Sequence, residues 1–231
     1  MSNYVTLVNK LLVRLNEVPL DVGGVAFDTT RNVQELAKNA INDAIRLIIQ
    51  TGEEWPFLKV TYTQTLTANT KTYNFPASFS SADWETFYLK KSADNAPAYL
   101  PAIDYQKYIQ NFRALDDENT TGAVPQLVYD THSDSFGVYP NPNIAYDIEY
   151  VYWSVPSDLQ LYNDECIIPS RFDHVIVDGA MMIMMRFRSN DQSAEIHQRN
   201  FENGIRKMRR VVMDQPLKVT STVIEGSTNA R

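Results

Sequence analysis

A single cysteine in 231 residues cannot close an internal disulfide, so a secreted disulfide scaffold is excluded and a reducing compartment fits. Cys166 standing alone also removes cysteine-based zinc sites, and no His-Glu-x-x-His occurs. The longest unbroken apolar run, Ala180 to Met185, falls far short of the roughly 20 residues of a membrane span. Met1 to Lys10 shows no basic cluster followed by an apolar stretch, so no secretory signal and no membrane partner are expected. Gly23-Gly24 lacks the Gly-Lys-Ser/Thr ending of a phosphate-binding loop, and strands do not alternate with helices as in a doubly wound enzyme.

Charge is present in excess of one sign. The net charge is -7, yet Arg171 to Met213 holds eight basic against five acidic residues, so the remainder is more acidic still. An acidic body disfavours general attachment to nucleic acid, where affinity comes from Lys and Arg displacing counterions. The hydrophobic fraction of 44% with 21% charged residues is that of a globular chain with a core.

Tyr4, Leu7, Val8, Leu11, Leu12 and Leu15 recur at three and four residues, which predicts a helix capped by Ser2 or Asn3 and stopped by Pro19. A second helix is expected from near Thr30 to Gly52, with Val33, Ala37, Ile41, Ala44 and Ile48 on one face. After Trp55-Pro56-Phe57 the residues become β-branched and aromatic. Val60 to Leu66 and Lys71 to Phe75 read as a hairpin about Ala68-Asn69-Thr70, followed by strands at Glu85 to Lys90, Gln126 to Asp130, Ser135 to Tyr139 and Tyr146 to Ser154. A short helix capped by Asp104 carries Tyr105, Tyr108, Ile109 and Phe112, and Asp116 to Gly122 reads as an exposed acidic loop. From Ser170, expected as a cap, the helical period returns with Phe172, Val175, Ile176, Gly179, Ala180, Ile183, Met184 and Phe187 inward. A break or kink is expected at Ser189-Asn190-Asp191, after which Ile196, Phe201, Ile205, Met208 and Val212 continue to Pro216. The expected fold is α+β: a helical bundle built from both chain ends (1–56 plus 165–215), an inserted antiparallel β module (57–164), and an extended C-terminal arm (216–231).

Candidate chemistry is thin. Asp130, His132 and Asp134 alternate as metal ligands on one strand face would, but a polar hairpin turn explains them better, and no metal or cofactor is expected. His174 and Asp178 are spaced for a hydrogen bond on a helix, yet no nucleophile elbow accompanies Ser170. Cys166 beside Ile167-Ile168 reads as a buried apolar residue. Met181, Met182, Met184 and Met185 read first as packing and second as an adaptable subunit surface. Arg206, Lys207, Arg209 and Arg210 form a basic helix face able to meet acidic surface on a neighbouring subunit. No catalytic residue emerges, and the reading is not an enzyme.

Several motifs stand in a telling order. Glu54-Trp55-Pro56-Phe57 leads into β structure, and Tyr139-Pro140-Asn141-Pro142 leads to Tyr150-Val151-Tyr152-Trp153-Ser154-Val155-Pro156. Asp158-Leu159 through Asp164 and Ile168-Pro169 then enter an Ala/Met-rich helix, and a closing helix carries Phe201 and Met208. In this the chain resembles the head-to-tail adaptor proteins of tailed bacteriophages, of the tail tubular or neck connector type, over about residues 4–215. The resemblance implies a virion protein at the head-tail junction, assembled in the host cytoplasm. It implies a homo-oligomeric ring, commonly dodecameric, between the portal protein and the next tail or nozzle protein, with the genome passing through the lumen without specific binding. It further implies an arm that reaches the portal; here Leu217, Val219, Val223 and Ile224 are its apolar residues. Ring contacts through Arg206, Lys207, Arg209 and Arg210, and inter-module packing by Trp55 and Phe57, complete the expected site. Another neck or tail completion protein is the nearest alternative. A glycan-binding β module using Trp84, Trp153 and the tyrosines is the alternative from a different class.

Overall fold

The computed structural model describes residues 1–21, 27–28, 32–51, 54–92, 95–118 and 122–213. The expected arm residues Leu217, Val219, Val223 and Ile224 lie outside these, as do Gly23-Gly24, Thr30 and Gly52. The fold is α+β. Helices α1 (Tyr4–Arg14), α2 (Val33–Ile49), α5 (Asp173–Phe187) and α6 (Asp191–Val212), from the two ends of the chain, share one hydrophobic core. Leu7, Leu11, Ile41, Ile48, Val175 and Ile176 are fully buried in it, as their spacing requires. Helix α5 is the central member: a Cβ placed at Gly179 would lie 2.8 Å from the Phe201 ring on α6 and 3.1 Å from Ala44 on α2. The absent side chain is what lets both neighbours close onto it.

Residues 59–154 form two four-stranded sheets. One has the order β1 (Lys59–Leu66), β8 (Tyr146–Ser154), β3 (Phe79–Leu89), β4 (Ala98–Tyr99). The other runs β2 (Thr72–Asn74), β7 (Ser135–Tyr139), β6 (Leu127–Asp130), β5 (Ala102–Ile103), and only β5 and β6 pair in parallel. Their inner faces meet in an aromatic core, where Phe136 of β7 contacts Phe87 of β3 and Tyr150 of β8 at centroid distances of 5.4 and 5.5 Å. Strand β6 is buried on both faces, which explains its unbroken apolar run: Val128 points into the sandwich, while Leu127 and Tyr129 pack under α3 (Tyr105–Asn111).

Several expectations are corrected. β1 and β2 do not form a hairpin; β1 pairs with β8 and β2 with β7, because the long central β8 offers β1 a full eight-residue register. Strand β3 begins at Phe79, where the polar Ser80, Ser81 and Asp83 conceal it, and its register shifts between Asp83 and Tyr88. Asp116 is not in an exposed loop: helix α4 (Arg113–Glu118) carries it and buries its carboxylate. The Tyr108 hydroxyl donates to Asp116 Oδ2 at 2.8 Å and Lys71 Nζ lies 2.9 Å away, so hydrogen bonding and a counter-charge offset the loss of water. Phe187 and Ile196, expected inward, are 66% and 55% exposed. Ser170 does not cap α5; it opens a tight turn, Ser170–Phe172, closed by Phe172 N donating to Pro169 O at 2.9 Å. Nor does the Asn3 side chain cap α1, whose first amides, Tyr4 N and Val5 N, instead donate to Asp164 O and Tyr162 O at 2.8 and 3.2 Å.

Candidate assembly surfaces

Trp55 marks the passage from α2 to β1. Its indole is fully buried in the helical core together with Leu58 and Trp153, the latter from the end of β8. Its N–H donates to Ile48 O at 3.2 Å, and its ring stacks on Phe57 at 5.6 Å. Ser154 Oγ donates to Leu58 O at 3.1 Å, and Lys59 Nζ sits 4.5 Å above the Trp153 ring. Aromatic packing, a hydrogen bond and a cation–π contact thus converge where strands meet helices.

The basic face lies on α6. Ala194, Phe201, Gly204 and Met208 are buried against the bundle, and the intervening Arg206, Lys207, Arg209 and Arg210 are exposed. Among the described residues, no ion pair engages Arg206, Lys207 or Arg210. The helix begins with Asp191 and ends with Arg209 and Arg210, a distribution that complements its dipole. That local electrostatic reason accounts for the last pair, though not for the width of the basic surface.

An acidic surface lies beside α2 and the start of α1. The turn at residues 157–165 is held against α2: Asn42 Nδ2 donates to Leu159 O at 3.0 Å, Leu159 N donates back to Asn42 Oδ1 at 3.2 Å, and Arg46 pairs with Asp158. Asp164 Oδ2 accepts from the amides of Gln160 and Leu161 at 2.7 and 2.8 Å, which locks the turn's shape. Burial, with Glu35, Asp158, Asp164 and Asp43 around it, pushes the Tyr4 hydroxyl well above the ordinary phenol range. Hydrogen bonding to Asp158 and its charge likewise raise the Arg46 guanidinium. The sequence marks Asp158-Leu159 through Asp164 only as part of the family pattern; that these carboxylates join Asp43 in one surface follows from folding.

The residues considered for chemistry are occupied structurally. Burial pushes the Cys166 thiol up to about 11, against the activated thiolate a nucleophile requires. Asp178 turns away from His174 and accepts Arg14 Nη1 at 2.7 Å, with His197 Nδ1 at 3.4 Å. His132 and Asp134 have left-handed backbones at φ 60° and 49° in the β6–β7 turn, so the three alternating residues do not line one strand face. Among the described residues, no group of three or more His, Cys, Asp or Glu side chains is placed to hold a metal ion. No helix of the described residues is long and apolar enough to cross a membrane. Tyr150, Tyr152 and Trp153 are core residues and Trp84 stacks on Phe87 at 5.3 Å, so these rings of the glycan alternative serve packing. A groove of about 750 Å³ between α1 and α5 is lined by Lys10, Arg14, Val13, His174 and Val177; Lys10 and Ser2 both bind Asp173 at its edge.

Comparison with known families adds one observation: a family described as SU10 adaptor protein matches residues 2–221. The chain belongs to this family. Comparison with curated proteins returns no match. Membership in the SU10 adaptor family makes the chain a bacteriophage structural adaptor, a virion component that contacts other capsid or tail proteins. The match spans the helices from both chain ends and both sheets, so the adaptor assignment covers the whole fold.

Proposed function

We propose that this adaptor forms a homo-oligomeric ring at the head-tail junction, between the portal protein and the next tail or nozzle protein. In this reading the helical bodies pack side by side and the β sandwich faces the tail. Residues 217–231, with Leu217, Val219, Val223 and Ile224, attach the ring to the portal. The role is structural, with no catalytic step and no cofactor.

The observation that carries the reading, beside the family match, is the charge distribution on the helical body. The basic α6 face, with Arg206, Lys207, Arg209 and Arg210, and the acidic 157–165 turn are separate surfaces built by different elements. Unlike surfaces on one subunit suit contacts between identical subunits that close by rotation. The net charge of -7 also suits a lumen through which DNA passes, because a surface that repels phosphate does not retain it. Electron microscopy of the purified protein, alone and mixed with its portal, tests this. Rings with an axial channel, seated on the portal, are expected; a protein that stays monomeric and adds no density to the portal overturns the reading.

A further inference from the structure

The two charged surfaces are built by different elements of the helical body, the acidic turn against α2 and the basic face on α6. Ala44 faces α5, where it approaches Gly179. Asn42 and Arg46, each two residues from Ala44, point about 160° away around the helix. These are the residues that hold the 157–165 turn, through Leu159 and Asp158. The turn rests on α2 away from the Ala44 contact, and it also binds the first amides of α1, next to Ser2, which donates to Asp173 at the start of α5. Helix α6 meets α5 at the same Gly179, buries Phe201 and Gly204, and turns Arg206, Lys207 and Arg210 outward.

The two surfaces match in more than charge. The turn carries Asp158, Asp164 and Glu165, and at its tip Leu161 is 57% exposed beside the part-exposed Tyr162. Helix α6 presents exposed Ile196 and Val211 along with the exposed cations Arg206, Lys207 and Arg210. Each surface thus joins an apolar contact to charge of opposite sign, the combination that supplies both affinity and register. The turn is also preorganised: Asp164 closes it from within, and Tyr162 O and Asp164 O bind the first amides of α1. Little ordering cost remains to oppose docking.

We propose that the acidic turn 157–165 of one subunit docks on the outer face of α6 of the next copy of this chain. The inference rests on the ring reading above and names the two surfaces that would build it. Because the patches differ, the contact is heterologous, head to tail, and propagates around a closed ring.

Cysteine cross-linking in the assembled adaptor, imaged in the same sample, tests it. Leu161→Cys and Lys207→Cys on one chain, treated with a short bis-maleimide, should give a ladder of oligomers up to the full ring. Either substitution alone should give no ladder, and a mixture of the two single variants should give dimers only. Rings that are visible but yield no ladder overturn the proposed contact while leaving the adaptor reading intact. Absence of rings in the wild-type protein, with and without portal, removes the ring reading and this inference with it. A second arm uses charge: Arg206→Glu, Lys207→Glu and Arg210→Glu together should raise the concentration needed for assembly by about tenfold or more. Pairing that chain with one carrying Asn163→Arg and Glu165→Arg should recover part of the loss. Unchanged assembly by the triple variant also overturns the proposal.

Discussion

Trp55 does at the level of one residue what the fold requires as a whole, because its ring fills the helical core while the chain around it turns into strand. Trp55→Ala should destabilise the protein by about 3–5 kcal/mol, the range for truncating a buried large aromatic. Denaturant titration followed by circular dichroism measures this, and a loss under about 1 kcal/mol would indicate that the ring contributes little. Cys166 and the buried tyrosines supply a second residue-scale prediction. Burial raises the Cys166 thiol to about 11 from an ordinary 9.0, and it also raises the Tyr150 and Tyr4 hydroxyls. Each holds its proton to higher pH in the folded chain than in the unfolded one. The contribution to stability is therefore full below the ordinary pKa values and is lost as pH rises through them towards the folded ones. The urea midpoint should be lower at about pH 10.5 than at about pH 8, and Cys166 should react with a thiol reagent only after unfolding. An unchanged midpoint across that interval would show these groups to be less desolvated than their burial implies.

At the scale of elements, the sheet and the helix that covers it are fitted around one missing side chain. Tyr129 of β6 lies opposite Gly137 of β7, and its ring crosses the space a Cβ would occupy, at 2.0 Å. The same ring stacks on Tyr108 of α3 at 3.8 Å, so Gly137 indirectly sets where α3 rests. Gly137→Val should cost about 1–3 kcal/mol or more, since backbone and a stacked ring cannot both give way. A melting temperature equal to wild type would mean that the ring moves freely. Asp116 ties α4 to the same cluster. Asp116→Asn keeps the shape and removes the charge facing Lys71, with an expected loss of about 1–3 kcal/mol measured by denaturant titration. A loss near zero would show Lys71 to be satisfied by water.

For the whole molecule, the decisive prediction concerns the C-terminal segment. Leu217, Val219, Val223 and Ile224 are apolar in an otherwise polar stretch, and three of them are β-branched, a composition suited to an extended strand that adds to another protein's sheet or groove. Deleting residues 217–231 should leave the thermal midpoint nearly unchanged and abolish stable attachment to the portal, as read by co-sedimentation. Full binding by the truncated protein would assign portal contact to another surface. Salt separates the two kinds of contact: ring association through α6 should weaken between low and high ionic strength far more than arm attachment through apolar side chains.

The helical body was legible because Leu7, Leu11, Ile41, Ile48 and Val175 repeat with the period of a helix, and local geometry turns that repeat into a buried stripe. The β character of the middle segment was legible for the same reason, and so were the passage at Trp55 and the basic run on α6. Strand pairing was not, because β1 and β2 are close in sequence yet belong to different sheets. The partner of β1 is β8, some 80 residues on, and no local pattern encodes so distant a register. Asp116 looked solvated because it stands in a run of carboxylates; its burial depends on Tyr108 and Lys71, brought to it by α3 and the β1–β2 connection. The acidic surface around residues 157–165 was not legible for a related reason. Asp43 and Asp158 are far apart in the chain, and they form one surface only because Asn42 and Arg46 hold residues 157–165 against α2. Periodicity determined most of the residues buried in the helices, whereas the gathering of distant carboxylates into one surface was decided by long-range packing, since it depends on which elements become neighbours.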